Sequence, residues 1–250
     1  MKMKRLGVGR TAEVFLTEDG KALKLFYDGF AQGAIDVEKR NAELVSGLPI
    51  STPKFYGETS CEGRRGLLYD VVQGESLLPG FISGDPQAIS GMAKLHKQIW
   101  ENVCPEAEDI KARLAWQIDE ADLPETVKAA AKEKLQSLPD GENLLHMDFH
   151  PDNVMETKDG LVVIDWNNMA KGVYLFDVAR TAYLLQYSAM PPEAEGVFPA
   201  ELRKNVADAY LQAMDITREE IADYMIVIFA SRAGECTAER DMLLELLEGK

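Results

Sequence analysis

No two cysteines of this chain are spaced to act together: Cys61, Cys104 and Cys236 are odd in number, far apart and without a Cys-x-x-Cys pairing. That indicates a reducing compartment and no cysteine metal cluster. Long apolar runs are missing too, and none approaches the roughly 20 residues that span a bilayer. The start, Met1-Lys2-Met3-Lys4-Arg5, passes into Gly7-Val8-Gly9-Arg10 rather than an apolar stretch, so no signal peptide is read and a cytoplasmic location is expected. Basic excess is lacking: 27 Lys and Arg stand against 42 Asp and Glu, a net charge of -15. Such a field disfavours nucleic acid and anionic membranes as partners and permits a cationic substrate. Internal repeats and low-complexity runs are absent. A hydrophobic content of 46% is that of an ordinary globular protein, and 250 residues suffice for one large domain or two lobes sharing a cleft. The oligomeric state is not written in the sequence.

One stretch organises the rest. His146-Met147-Asp148-Phe149-His150-Pro151-Asp152-Asn153 is followed by the apolar run Leu161-Val162-Val163-Ile164 and then Asp165-Trp166. The spacing suits phosphoryl transfer from a nucleotide, which asks mostly for positioning and charge neutralisation. Asp148 is placed to accept the proton of an attacking hydroxyl, and Asn153 and Asp165 to offer oxygen ligands to Mg2+ on the phosphates of ATP. A rival reading exists. His146, Asp148, His150 and Asp152 fall at every second position, which on a strand gathers ligands for a metal-dependent hydrolase. Pro151 opposes a regular strand there, and Asp165 is then left without a role.

The N-terminal part reads as strands. A glycine-bearing turn lies near Gly7 and Gly9, strands follow at Ala12–Leu16 and Lys21–Phe26, and two more at residues 54–57 and 66–72. Gly7 and Gly9 let backbone amides approach phosphate oxygens. Alternation puts Ala22, Lys24 and Phe26 on one face: a lysine suited to anionic phosphates, with Ala22 small enough to lie over a flat base. The helix expected over residues 33–47 carries two candidate acids for Lys24, Glu38 and Glu43, and Glu38 is preferred because it lies further from the helix end. Gln73-Gly74-Glu75-Ser76 breaks the pattern, which sets a nucleotide-binding lobe at 1–72 and a helical lobe with the catalytic loop and substrate site at 73–250. Backbone groups from Asp70 to Val72 are placed to meet an adenine edge.

The second half is expected to be almost entirely helical. On Met92-Ala93-Lys94-Leu95-His96, the spacing of Met92, Leu95 and Ile99 makes His96 a hydrogen-bonded core histidine. Helices are expected over 109–121, 124–138, 200–214, 217–233 and 235–248, with a capping box at Thr217-Arg218-Glu219-Glu220. Asp177 stands at a helix start, where it caps N–H groups or braces the catalytic loop. Acids near Glu193, Glu195, Glu235, Glu239 and Asp241 are candidates to meet an ammonium group.

Taken together, these residues resemble the aminoglycoside phosphotransferase and choline kinase-like family. The likeness lies in His146-x-Asp148-x-His150-Pro151-x-Asn153, Val163-Ile164-Asp165-Trp166, Phe176-Asp177-Val178-Ala179-Arg180, Met92-Ala93-Lys94-Leu95-His96 and, more loosely, Lys24. It implies an α+β, protein-kinase-like two-lobed fold, with a small antiparallel sheet and one helix in the first lobe and a larger, mainly helical second lobe. It also implies an ATP- and Mg2+-dependent kinase of a small-molecule hydroxyl, with Asp148 as base, Asn153 and Asp165 as metal ligands and Lys24 on the phosphates. Trp166-Asn167 stands where protein kinases have Phe-Gly, a small-molecule kinase habit. A protein kinase is the second reading; the short connection from Asp165 to Asp177 leaves little chain for a peptide platform. A hydrolase and a non-catalytic nucleotide-binding module are the others.

Overall fold

Segments of five to seven residues that mix apolar with polar side chains pair into strands early in the chain. The computed structural model describes residues 3–189 and 198–249. In order come β1 (Lys4–Val8), β2 (Ala12–Leu16), β3 (Lys21–Phe26), α1 (Gln32–Val45), β4 (Phe55–Cys61), β5 (Arg64–Asp70) and β6 (Gly74–Ser76). Then follow α2 (Leu78–Ser83), α3 (Pro86–Trp100), α4 (Ile110–Glu120), α5 (Glu125–Ser137), β7 (Asn143–Leu145), a 3-10 turn (Pro151–Asn153), β8 (Val154–Thr157), β9 (Gly160–Val163) and β10 (Ala170–Gly172). The described elements end with α6 (Leu175–Gln186), α7 (Ala200–Met214), α8 (Arg218–Glu235) and α9 (Arg240–Leu247). Contacts divide the chain into two units, one of residues up to Ser76 with Val154–Asn167, the other of Leu77–Asn153 with the chain from Asn168 onward.

In the first unit β1 to β5 form an antiparallel sheet in the order β1-β2-β3-β5-β4. Its registers set Lys24 between Val14 and Leu67. Ala12, Phe26, Ile35 and Leu67 make a core against which Phe30, Phe55 and Tyr69 pack. Helix α1 lays Ile35, Ala42 and Val45 on this core, and the same face buries Glu38 and Asn41. Polar groups so placed need partners inside the protein. A second sheet runs β6-β8-β9. Gly74 permits its pairing, since a Cβ there would lie 2.1 Å from the Glu156 carbonyl oxygen.

In the second unit α6 is the central element, with almost every side chain from Phe176 to Leu185 buried. Helix α3 is capped by Asp85, which accepts from the Gln87 N–H, and buries Met92, Leu95, His96 and Ile99. Asp109 caps α4 in the same manner, and Thr217 with Glu220 closes a capping box on α8. Two expectations need correction. Four short strands, β7 to β10, interrupt the helical half; β9 falls on the apolar run of residues 161–164 that leads to Asp165, as a strand is expected to, whereas β7, β8 and β10, at three or four residues each, are too brief for alternation to announce them. The last helix starts at Arg240 rather than 235, because α8 runs on to Glu235 and the extended backbone of Cys236 separates the two. No described helix is long and apolar enough to cross a membrane.

Candidate active site

Strand β7 delivers the chain to the catalytic stretch with Leu144 and Leu145 fully buried. The next residues leave the strand, and Met147 takes a left-handed φ of 61°. That conformation is uncommon for a long side chain and persists only when its surroundings fix it. Asp177 does the fixing from the first turn of α6: Oδ2 accepts the His146 N–H at 2.6 Å and Oδ1 the Met147 N–H at 2.8 Å. His96 Nε2 lies 3.0 Å from Asp177 Oδ2, and its Nδ1 lies 2.6 Å from the Tyr210 hydroxyl. His96 is therefore a buried bracing residue and not a catalyst. Burial pushes the Asp177 carboxyl up, but His96, then His146 and its N–H, outweigh it and hold the group below the usual carboxylate range.

Asp177→Asn is expected to cost about 3 kcal/mol in denaturant unfolding, since an amide cannot accept from both loop N–H groups and turns a donor toward one of them. The pH dependence has a definite sign. A depressed folded value gives stability that is present above the unfolded value of about 3.9 and lost as pH falls through the folded one. The gap between wild type and variant therefore narrows on acidification.

Asp148 follows, half-buried. Its backbone N–H donates to His146 Nδ1 at 3.3 Å. The 3-10 turn brings Asn153 back over it, and Asn153 Nδ2 donates to the Asp148 carbonyl at 2.9 Å and reaches Oδ2 at 3.4 Å. Its remaining contact, 3.2 Å to His150 Nε2, is also made by Nδ2. The amide oxygen is thus the atom left for an incoming ligand among the described residues.

In the first unit, Lys24 Nζ sits 2.7 Å from Glu38 Oε1 and 3.2 Å from Asp165 Oδ1. Glu43, the other candidate, is on the exposed side of α1. Asp165 has a φ of 65° and stands just past β9. Asn41 holds the following backbone, donating to the carbonyls of Trp166 at 3.0 Å and Asn167 at 3.1 Å. Trp166 Nε1 is tied to Thr52 Oγ1 at 3.0 Å. Sequence reasoning missed Asn41; its burial on an apolar helix face was the available signal. Burial depresses the Lys24 ammonium, yet Asp165 and Glu38 outweigh it and raise its pKa, so the charge is kept. Burial raises Glu38, and a lysine shared with Asp165 offsets only part of that. One cation between two carboxylates leaves the cluster with a surplus negative charge. Asp165, 37% exposed against 8% for Glu38, is the accessible acid.

The remaining candidates are spread over the same unit. Gly7 pairs with Val14 beside a bulge in β1, and nothing lies where its Cβ would be. The Gly9 N–H donates to the Ala12 carbonyl at 2.8 Å, and neither glycine needs a left-handed φ, so what they give is room above the strand. Ala22 is half-buried between Leu16 and Tyr69. Asp70 is engaged in its own sheet: its N–H donates to the Lys54 carbonyl at 3.0 Å and its Oδ1 accepts from the Tyr56 hydroxyl at 2.8 Å. Val72, past the strand end, keeps its backbone outside the ladder.

Asn153 and Asp165 are hard oxygen donors of the kind Mg2+ takes, an ion bound through one or two carboxylates together with substrate phosphates and water. The cluster's surplus negative charge fits a divalent cation as well. Among the described residues no three His, Cys, Asp or Glu side chains gather to hold a metal ion. The alternating ligand face of the hydrolase reading does not form, because Met147 turns left-handed, Pro151 opens a 3-10 turn and His146 is fully buried. Of the acids considered for an ammonium group, Glu193 and Glu195 lie outside the described residues. Glu235 and Glu239 are paired with Arg232, and Asp241 with Arg240.

The sequence model of the phosphotransferase enzyme family matches residues 2–224. No curated protein matches the chain by sequence. Among solved structures, an amicoumacin kinase in complex with AMP-PNP, Ca2+ and Ami superposes with a TM-score of 0.62 at 15% identity, covering 99% of this chain and 88% of that one. An aminoglycoside-3'-phosphotransferase of type VIII gives 0.63 at 16% identity over 91% and 93% of the two chains. A choline/ethanolamine kinase family protein from Mesorhizobium loti gives 0.62 at 13% identity over 100% and 87%. Likeness at this level shows the fold, which is α+β and protein-kinase-like.

Proposed function

We propose a reaction for a chain that belongs to the phosphotransferase enzyme family: transfer of the γ-phosphoryl group of ATP to a hydroxyl of a small molecule, assisted by Mg2+. The chain is a phosphotransferase; donor, metal and acceptor class are our reading. Lys24, steadied by Glu38, neutralises phosphate oxygens. Asp165 and the amide oxygen of Asn153 hold the metal, which when bound offsets charge on the transferring group. Asp148 orients the acceptor hydroxyl and takes its proton. Gly7, Gly9 and Ala22 leave room for phosphates and base, and Val72 offers its backbone to the base edge.

The observation that carries this reading is the single ammonium held between a buried acid and an accessible one. Phosphates approaching that cluster without a cation meet net repulsion, so nucleotide and metal are expected to bind together. A small acceptor is preferred to a peptide because residues 166–174 alone separate Asp165 from α6, and part of that span is β10. Titration calorimetry with a non-hydrolysable ATP analogue tests the reading: binding with Mg2+ and its loss in chelator support it. Nucleotide binding that ignores Mg2+, or tightly held zinc with no nucleotide binding, overturns it.

A further inference from the structure

Three residues beyond Glu38, on the same face of α1, stands a second buried polar side chain that the roles assigned above leave unused. Asn41 is 6% exposed and shares the buried face of the helix with Ile35, Ala42 and Val45. A side-chain amide at that depth needs hydrogen-bond partners inside the protein. It finds them far along the chain: Nδ2 donates to the carbonyl of Trp166 at 3.0 Å and to that of Asn167 at 3.1 Å. These are the two residues that follow Asp165, and all of them belong to the first unit.

Asp165 itself is strained. Its φ of 65° lies in the left-handed region, where a residue bearing a Cβ persists only when its surroundings hold it. Strand β9 ends at Val163, so the turn at Asp165 lies past the ladder. Upstream, the Val163 N–H is anchored on the Ser51 carbonyl at 2.9 Å. Downstream, Asn41 grips two successive carbonyls, and the turn is fixed from both sides. Taking the amide away leaves the Trp166 carbonyl short of a donor in buried surroundings. The backbone then relaxes about Trp166, and Asp165, one residue away, moves with it.

We infer that Asn41 is a positioning residue for the metal-holding acid: its amide keeps Asp165 in the left-handed conformation and its carboxylate in the cluster shared with Lys24. The inference rests on the phosphotransferase reading above. Glu38 and Asn41 are close to one helical turn apart, so a single face of α1 sets both groups that meet the nucleotide and its metal. Lys24 is set through Glu38 at 2.7 Å, and Asp165 through the backbone that follows it. Groups that orient a metal ligand without touching the ion govern its affinity by about 10- to 100-fold. A substitution at residue 41 leaves the charges of Asp165, Glu38 and Lys24 in place, so a change in metal affinity reports position.

Calorimetric titration of Mg2+ into the full chain, with a non-hydrolysable ATP analogue present, tests this. Asn41→Leu keeps the branched shape without donors and is expected to weaken Mg2+ binding by about tenfold. Thr52→Val removes the tie from Trp166 Nε1, leaves both carbonyls gripped, and is expected to leave Mg2+ binding unchanged. Hydrogen exchange of the metal-free protein gives a reading that needs no ion: amides of residues 165–167 are expected to exchange about tenfold faster in Asn41→Leu than in wild type. Should Asn41→Leu fail to fold, Asn41→Ser, too short to reach both carbonyls, is expected to move both readings in the same direction. Undiminished Mg2+ affinity in the Asn41 variants, unchanged exchange, or a loss in Thr52→Val equal to that in Asn41→Leu overturns the assignment. If the wild type takes up no Mg2+ with the analogue, the phosphotransferase reading has failed; if it does and the Asn41 variants do so equally, the positioning role alone has failed.

Discussion

Replacing Asp148 with asparagine is expected to lower kcat by about 10³-fold, within the range for loss of a general base. Asparagine has nearly the same shape, so the 2.9 Å bond from Asn153 to the backbone carbonyl of residue 148 survives and the loop is unchanged. What disappears is a group able to take the hydroxyl proton. Residual turnover remains, because positioning and charge neutralisation do not depend on that carboxylate. Nucleotide affinity should stay within about twofold of wild type, since uniform binding is untouched. A variant that turns over at the wild-type rate removes Asp148 from the role of base; one that fails to bind nucleotide gives it a different role.

Lys24→Ala carries the second large effect. The lysine stands against two carboxylates at 2.7 and 3.2 Å, and without it the phosphates meet two negative charges. A loss of about 10²- to 10³-fold in kcat is expected, as for removal of one fixed electrostatic contact to developing charge, and KM for ATP should rise as well. Stability suffers too, because Glu38 is left buried without its cation, at a cost of about 3–5 kcal/mol. The double variant Lys24→Ala, Glu38→Gln separates the two. It is expected to regain much of the midpoint in thermal unfolding and none of the turnover. Recovery of both marks Lys24 as a structural partner of Glu38 and nothing more.

Much of this arrangement is written locally. The run from His146 to Trp166 places its acids and amide within 21 residues, and alternation along β3 is enough to single out Lys24. The choice of Glu38 over Glu43 followed from distance to the helix end, whereas the physical cause is that Glu38 shares the buried face of α1 with Ile35 and Ala42. Other features depend on contacts that no local pattern carries. Asn41 reaches backbone 125 residues away, and β6 exists because Gly74 lets it approach β8. Glu235, Glu239 and Asp241 read as available to a cation until their arginine partners are located, one to seven residues away or, for Arg180 and Glu235, 55 residues away. Burial and pairing, more than residue type, decide which acids of so acidic a chain are chemically open.

Phosphorus NMR of the wild-type protein with ATP, Mg2+ and a mixture of small hydroxyl compounds tests the central claim most directly. A phosphate monoester resonance that grows as the γ-phosphorus signal declines, and stops when chelator is added, is the predicted result. Release of inorganic phosphate alone, or transfer that proceeds equally well in chelator, contradicts it.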